Sequence, residues 1–244
     1  MKLKVLDLFS GIGGFSLGLE RAGMETVAFC EIDPFCRKVL KKHWPDVPIY
    51  EDVRTLNNEQ VGPVDVICGG FPCQDISIAG KGAGIEGERS GLWSEYKRLI
   101  GELRPRRVVV ENVSALLGRG LGRVLGDLAA LGYDAEWHCI PATYVGARHI
   151  RDRVWIVAYP SSDGLKGPIL TRDSISQAGV AFDWSAPERA YEQMDWNEWA
   201  TEPPVLGAND DVPEWMDAVD ALGNAVVPQI PELIGRAIIQ SMNK

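Results

Sequence analysis

Residues 3–14 read LKVLDLFSGIGG, an apolar run that breaks into a glycine-rich turn. Leu3 to Phe9 has the β-branched and aliphatic content of a buried strand. The turn from Phe9 to Gly14 lets backbone approach a ligand closely while a helix begins over 15–22. Working outward, ETVAFCE (25–31), VDVICGG (64–70), RRVVVEN (106–112) and RVWIVAY (153–159) read as further strands. Helical periodicity falls between them over 34–43, 92–103 and 119–131. Such alternation predicts a doubly wound α/β sheet, whose ligands lie beyond the carboxyl ends of the strands.

The strand ends therefore carry the functional reading. By itself the glycine turn is equally a plain strand-to-helix connection. However, an acidic residue about 20 positions after such a turn is how these folds hold ribose hydroxyls, and the next two strand-like pieces end in Glu31 and Asp52. Together they point to a nucleoside-containing cofactor. No GK[ST] follows the glycines, which argues against a nucleoside triphosphate. Another strand ends in Gly69-Gly70-Phe71-Pro72-Cys73-Gln74, where a thiolate in a polar, glycine-flanked loop has the surroundings of a nucleophile. Cys30, Cys36, Cys68 and Cys139 read as small core residues. The strand over 106–112 brings Glu111 to the same edge, where a carboxyl can donate a proton or anchor a substrate.

The chain has 244 residues, 45% hydrophobic and 24% charged, the composition of a folded protein. It offers no long apolar span and no signal-peptide layout, so a cytoplasmic location without membrane attachment is expected. Five cysteines without a CxxC pair and three scattered histidines suggest neither disulfides nor a metal site. The net charge of −9 is confined to residues 161–217, which hold three basic and twelve acidic residues and four of the eight tryptophans. That segment shows no clear period and reads as an inserted module, dividing the chain into 1–160, 161–217 and 218–244.

The motifs in their order resemble those of the C5-cytosine DNA methyltransferases. DLFSGIGGFSLGLE (7–20) is similar to the family's cofactor loop, GGFPCQDIS (69–77) to its catalytic loop and ENV (111–113) to its glutamate motif. RHIRDRVWIVA (148–158) resembles its arginine strand motif, and LGNAVVPQ (222–229) its late cofactor motif. The resemblance implies a Rossmann-like class I S-adenosylmethionine-dependent methyltransferase fold, with a mixed, mostly parallel sheet, a small recognition module and a closing helix near 229–241. It implies S-adenosylmethionine as methyl donor, held by Phe9, Gly11, Gly13, Gly14, Glu31, Ile32, Asp52, Val53, Phe71, Pro72, Leu92, Asn224, Ala225 and Val226. Cys73 is the implied nucleophile toward cytosine C6, Glu111 the partner of N3 and the exocyclic amine, Arg153 the ligand of O2 and Arg151 a support. An ordered water is the expected base for the C5 proton.

Because the target base must leave the duplex, DNA contacts are expected near Gln74, Ser77, Lys81, Arg89 and Arg148, with further positive charge from Arg119 and Arg123. The implied partners are double-stranded DNA and a cognate restriction system, in a bacterial or phage setting. Two departures stand out: His149 and Arg148 replace the usual Gln and Pro, and the recognition region is acidic, although duplex binding normally draws on Lys and Arg. An alternative reading is a catalytically silent member that uses 161–217 to bind a protein partner or to mimic DNA. A transfer-RNA methyltransferase would centre on a different catalytic loop. A dinucleotide oxidoreductase gives no role to Cys73, Glu111 or the arginine pair.

Overall fold

The computed structural model describes residues 2–72, 92–147, 149–164, 168–183, 221 and 223–243. Seven strands form one sheet: β1 (Lys4–Leu8), β2 (Glu25–Cys30), β3 (Ile49–Tyr50), β4 (Val66–Gly69), β5 (Arg107–Val113), β6 (Tyr133–Cys139) and β7 (Arg153–Pro160). Their spatial order is β3-β2-β1-β4-β5-β7-β6. The ladders from β3 through β5 are parallel, while β7 runs antiparallel to both β5 and β6. All five strands read from the sequence are present. β6 was not read: it is an edge strand in which Asp134, Glu136 and His138 alternate with Tyr133, Ala135, Trp137 and Cys139, so it lacks the continuous apolar run of the other strands.

Both faces of the central strands are covered, and successive residues alternate between two cores. Leu6, Ile67, Val108, Val110 and Ile156 pack under α4 (Leu92–Leu103) and α6 (Leu121–Ala130) through Trp93, Tyr96, Leu99, Val124 and Leu128. Val5, Val66, Val109, Trp155 and Val157 pack under α1 (Gly14–Arg21) and the C-terminal helix (Gln229–Met242) through Phe15, Leu19, Leu233, Ile234 and Ile238. The latter two helices approach closely because Gly18 lacks a side chain: a Cβ there would lie 2.2 Å from the Pro228 carbonyl oxygen. The other α-helices described are α2 (Pro34–His43), α3 (Asn58–Val61), α5 (Leu116–Arg119) and α7 (Arg172–Gln177), which makes the C-terminal helix α8, and 3-10 turns span Ala142–Val145 and Ser161–Asp163. The helix expected over 119–131 is divided at Gly120, whose extended backbone separates α5 from α6.

The beginning of the acidic segment is built onto the sheet. Thr171 and Ser174 form a capping box on α7, and Ile169, Leu170, Ile175 and Ala178 are buried in the core shared with α8. Glu136 accepts hydrogen bonds from the Ile169 and Leu170 amides at 2.9 and 3.1 Å. Of the cysteines read as core, Cys30, Cys36 and Cys68 are buried, whereas Cys139 is exposed because it ends the edge strand β6. Among the described residues no helix is long and apolar enough to cross a membrane, and no group of three or more His, Cys, Asp or Glu is placed to hold a metal ion.

Asp7 is a buried carboxyl within this framework. Its Oδ2 accepts from the Ser16 hydroxyl at 2.7 Å and the Ser16 amide at 3.3 Å, tying β1 to α1, while Oδ1 meets no N–H or O–H donor among the described residues. Burial pushes its pKa from 3.8 to about 7, against the pull of the Ser16 bonds. The folded chain therefore holds this proton more tightly than the unfolded chain. Its stabilising contribution is complete below pH 3.8 and is lost as pH rises through about 7. Converted at the usual constant, that displacement is at most about 4 kcal/mol. Asp7→Asn keeps an acceptor for Ser16 and removes the titration. Thermal melts should show it gaining on the wild type between pH 5 and pH 8, and a parallel pH dependence in the two proteins would refute the assignment.

Candidate active site

The chain progresses from β1 to β2 and β3, then returns to β4 on the other side of β1. Ligands of open α/β sheets bind at such a reversal. A cleft of about 370 Å³ opens there, lined by Phe9 after β1, Glu31 after β2, Phe71 and Pro72 after β4, and Glu111 in β5. The antiparallel direction of β7 brings its first residue to the same edge, so Arg153 is the register partner of Val113 and Trp155 that of Glu111.

One arm of the cleft is made of Phe9, Gly11, Glu31 and Ile32. Glu31 is fixed from both sides, its Oε2 accepting from the Gly11 amide at 2.7 Å and its Oε1 from the Asp33 amide at 2.8 Å. Gly11 has φ +53° and open space where a Cβ would stand, so the turn leaves room beside its backbone. Ile32 presents an apolar side chain that is 65% exposed.

The other arm is charged. Arg153 Nε lies 3.0 Å from Glu111 Oε1, an ion-pair distance, while its Nη1 donates to the Asp152 carbonyl at 2.8 Å. The Arg153 N–H does not point at Oε1, which is left without an aligned donor among the described residues. Burial raises the Glu111 pKa above its ordinary 4.5, and the charges of Arg153 and Arg151 work against that rise. Gly70 makes the close approach of this carboxyl to β4 feasible: a Cβ there would meet Glu111 Oε2 at 2.7 Å. Arg151 lines the cleft and donates to the Gly223 and Asn224 carbonyls at 2.6 and 3.0 Å, tying the returning C-terminal segment to the site.

Phe9, Gly11, Glu31, Ile32, Phe71, Pro72, Glu111, Arg151, Arg153 and Asn224 thus share one cleft. Other candidates are placed off its lining. Gly13 begins α1 at φ +87°, against Trp44. Gly14 admits the backbone of Val226, whose carbonyl oxygen would be 2.7 Å from a Cβ, and Ala225 precedes it in that packed segment. Asp52 binds Arg54 through both carboxylate oxygens, with contacts of 2.7 to 3.0 Å. Val53 is buried in the core, and Leu92 packs partly buried against it. Cys73, Gln74, Ser77, Lys81, Arg89 and Arg148, with residues 165–167 and 184–217 of the acidic segment, lie outside the described residues.

Six cleft residues were not read as site residues: Asp33, Cys36, Gly70, Asn112, Val113 and Ala221. Asn112 is the most informative. Buried on the opposite face of β5 from Glu111, it donates from Nδ2 to the Phe71 carbonyl at 3.0 Å and accepts from the Val113 amide at 2.9 Å. The strand that presents the carboxyl thereby fixes the chain just before Cys73. Its adjacency to Glu111 at a strand end was the available signal.

Comparison with known proteins identifies the family. Residues 3–210 match the family model for C-5 cytosine-specific DNA methylase. The chain is 36% identical to the type II methyltransferase M.Eco47II of Escherichia coli over 200 residues, covering 75% of this chain and 48% of that protein. It is 38% identical to M2.BsuMI of Bacillus subtilis over 164 residues, 64% of this chain and 42% of the relative. The chain thus spans about half the length of the curated relatives it matches. Among solved structures, a DNA modification methyltransferase encoded within an E. coli prophage superposes with a TM-score of 0.59 at 29% identity, over 68% of this chain and 49% of that one. The Entamoeba histolytica methyltransferase EhMeth superposes over 100% of both chains with a TM-score of 0.69, and at 14% identity it supports the fold alone. The mixed, mostly parallel sheet is that of the S-adenosylmethionine-dependent methyltransferases. The family match runs through the same strand ends that build the cleft, and by it this chain belongs to the C-5 cytosine-specific DNA methylase family.

Proposed function

We propose that the protein transfers a methyl group from S-adenosylmethionine to C5 of a cytosine flipped out of duplex DNA. The observation that carries this reading is the buried Glu111 beside Arg153 in the same cleft as the Glu31 arm. The family implies S-adenosylmethionine as methyl donor, and the residues fit it. Phe9 and Ile32 offer apolar surface to a purine, Glu31 keeps lone pairs for a ribose diol, and Gly11 leaves backbone room for the amino-acid portion. The volume is at the lower end of that for small-molecule sites, roughly 300–1,000 Å³. Bound there, the cofactor supplies an electrophilic methyl group on its sulfonium.

The chain's own residues supply the rest. Cytosine C5 is a weak nucleophile, so the Cys73 thiolate adds to C6, forming an S–C6 bond and sending electron density toward C5 and N3. Glu111, whose proton burial makes harder to lose, gives it to N3 and relieves the charge. N4, N3 and O2 lie in sequence along one edge of the base, so a ring whose N3 and N4 meet Glu111 turns O2 toward Arg153. After C5 takes the methyl group, water removes the C5 proton, the S–C6 bond breaks to return the thiolate, and N3 gives its proton back to the Glu111 carboxylate. Gln74, Ser77, Lys81, Arg89 and Arg148 are assigned to the DNA, whose contacts offset an extrusion cost of a few kcal/mol. As the relatives are named type II methyltransferases, the setting we assign is restriction–modification.

The test is incubation with S-adenosylmethionine and mixed-sequence duplex DNA, followed by nucleoside analysis of the digest. 5-Methylcytosine, with no N4-methylcytosine or N6-methyladenine, is expected. Cofactor binding without methylation of any cytosine would overturn the reading.

A further inference from the structure

Four aromatic rings form a chain beneath the cleft, and both ends of that chain line it. Phe71 packs on Trp93 with ring centroids 5.4 Å apart, Trp93 on Tyr96 at 5.5 Å, and Tyr96 on Phe9 at 6.3 Å. Phe71 and Phe9 are cleft walls. Trp93 and Tyr96 are buried within α4, one turn apart, and each has one polar atom to satisfy. The Tyr96 hydroxyl donates to the Val109 carbonyl at 3.2 Å. Trp93 Nε1 donates to Asp127 Oδ2 at 3.0 Å, across to α6.

Asp127 is more heavily engaged than a simple helix-to-helix tie requires. Its Oδ1 accepts from Lys97 Nζ at 2.7 Å, and its Oδ2 also accepts from Arg123 Nε at 2.9 Å. The residue is only 8% exposed. Burial works against its charge, but the Lys97, Trp93 and Arg123 donors outweigh that and hold the pKa below the ordinary carboxylate value. The ionised carboxylate is thus fixed by two cations, and it holds the indole N–H with the strength of a charge-assisted bond. An indole so held has little freedom to rotate, and it is the surface against which Phe71 rests.

We propose that Asp127 is a positioning residue for the cofactor cleft, acting through Trp93 to set the Phe71 wall. It touches neither cofactor nor base. This rests on the reading of the cleft as the S-adenosylmethionine site.

The experiment is a calorimetric titration of the full chain with S-adenosylmethionine, without DNA, for the wild type, Asp127→Asn, Asp127→Leu, Trp93→Phe and the double variant Trp93→Phe/Asp127→Leu. Asp127→Leu should weaken binding by about three- to thirtyfold, as expected for a coupled contact. Asp127→Asn retains an acceptor for the indole and should remain within about threefold of the wild type. In the Trp93→Phe background, which keeps a stacked ring but has no N–H, Asp127→Leu should change the affinity by less than about twofold.

An Asp127→Leu protein with a lowered melting temperature and unchanged cofactor affinity would reduce Asp127 to a brace between α4 and α6 and overturn the proposal. An undiminished effect of Asp127→Leu in the Trp93→Phe background would also overturn it. Should Asp127→Leu fail to fold, Trp93→Phe alone decides: binding weakened by about three- to tenfold supports the relay, and unchanged binding refutes it. A wild type that binds no S-adenosylmethionine would overturn the reading of the cleft, and the proposal with it. Wild-type binding without coupling to Asp127 would remove the proposal alone.

Discussion

Cys73→Ser is expected to abolish the denaturation-resistant adduct that the wild type forms with duplex DNA containing 5-fluorocytosine, and to lower methylation by at least about 10⁴-fold, as removal of a nucleophile does elsewhere. Fluorine at C5 replaces the proton that must leave, so the S–C6 bond persists. A thiol is a few per cent ionised near neutral pH and strongly nucleophilic, whereas a serine hydroxyl at the same place is neither. The chain immediately before Cys73 is well held: Phe71 and Pro72 line the cleft, and Asn112 fixes the Phe71 carbonyl at 3.0 Å. Serine occupies nearly the same volume, so S-adenosylmethionine affinity should remain within about twofold, separating loss of chemistry from loss of structure. Cys36 is the internal control, because it is the only cysteine on the cleft lining among the described residues. Cys36→Ser should leave the adduct intact. An adduct that survives Cys73→Ser and disappears with Cys36→Ser would transfer the nucleophilic role.

Much of this site was legible because α/β architecture turns strand ends into site positions. Phe9, Glu31, Phe71 and Glu111 were readable as the residues at the ends of apolar runs, and the sheet brings them to one edge. What the sequence concealed was lateral. Nothing local in 153–159 says that β7 runs antiparallel, yet that direction alone sets Arg153 beside Glu111. Asp52 was read from its spacing after the glycine turn; it is not on the cleft lining, and the neighbouring Arg54 binds both of its carboxylate oxygens. Gly14 was read as a cofactor glycine, and its missing side chain also makes room for Val226. Asp127 is sequence-silent, being one acidic residue on an amphipathic helix. Its three donors come from α4, two of them 30 and 34 residues earlier, and from its own helix.

Glu111→Gln is expected to lower kcat by about 10²–10⁴-fold, the range for loss of a positioned proton donor, while leaving S-adenosylmethionine affinity unchanged because the Glu31 arm is untouched. The amide keeps an oxygen near Arg153, so this variant removes the proton without emptying the space, whereas Glu111→Ala would also leave a half-buried guanidinium facing a void. The pH dependence fixes the role. Burial raises the folded-state pKa above 4.5, against the opposing charges of Arg153 and Arg151. The folded protein therefore holds this proton to higher pH than the unfolded chain, and the stability it confers is complete at low pH and lost as pH rises through the folded value. Catalysis should follow the same sign, since the proton for N3 disappears over that interval. The wild-type kcat profile should carry a descending limb set by Glu111, and the residual activity of Glu111→Gln should lack it. A glutamine variant within about threefold of wild-type kcat would show that N3 is not protonated from this side chain. A descending limb retained in the variant would assign the titration to another group, with the thiol excluded by its opposite sign: Cys73 gains nucleophilicity as pH rises, so its ionisation gives an ascending limb.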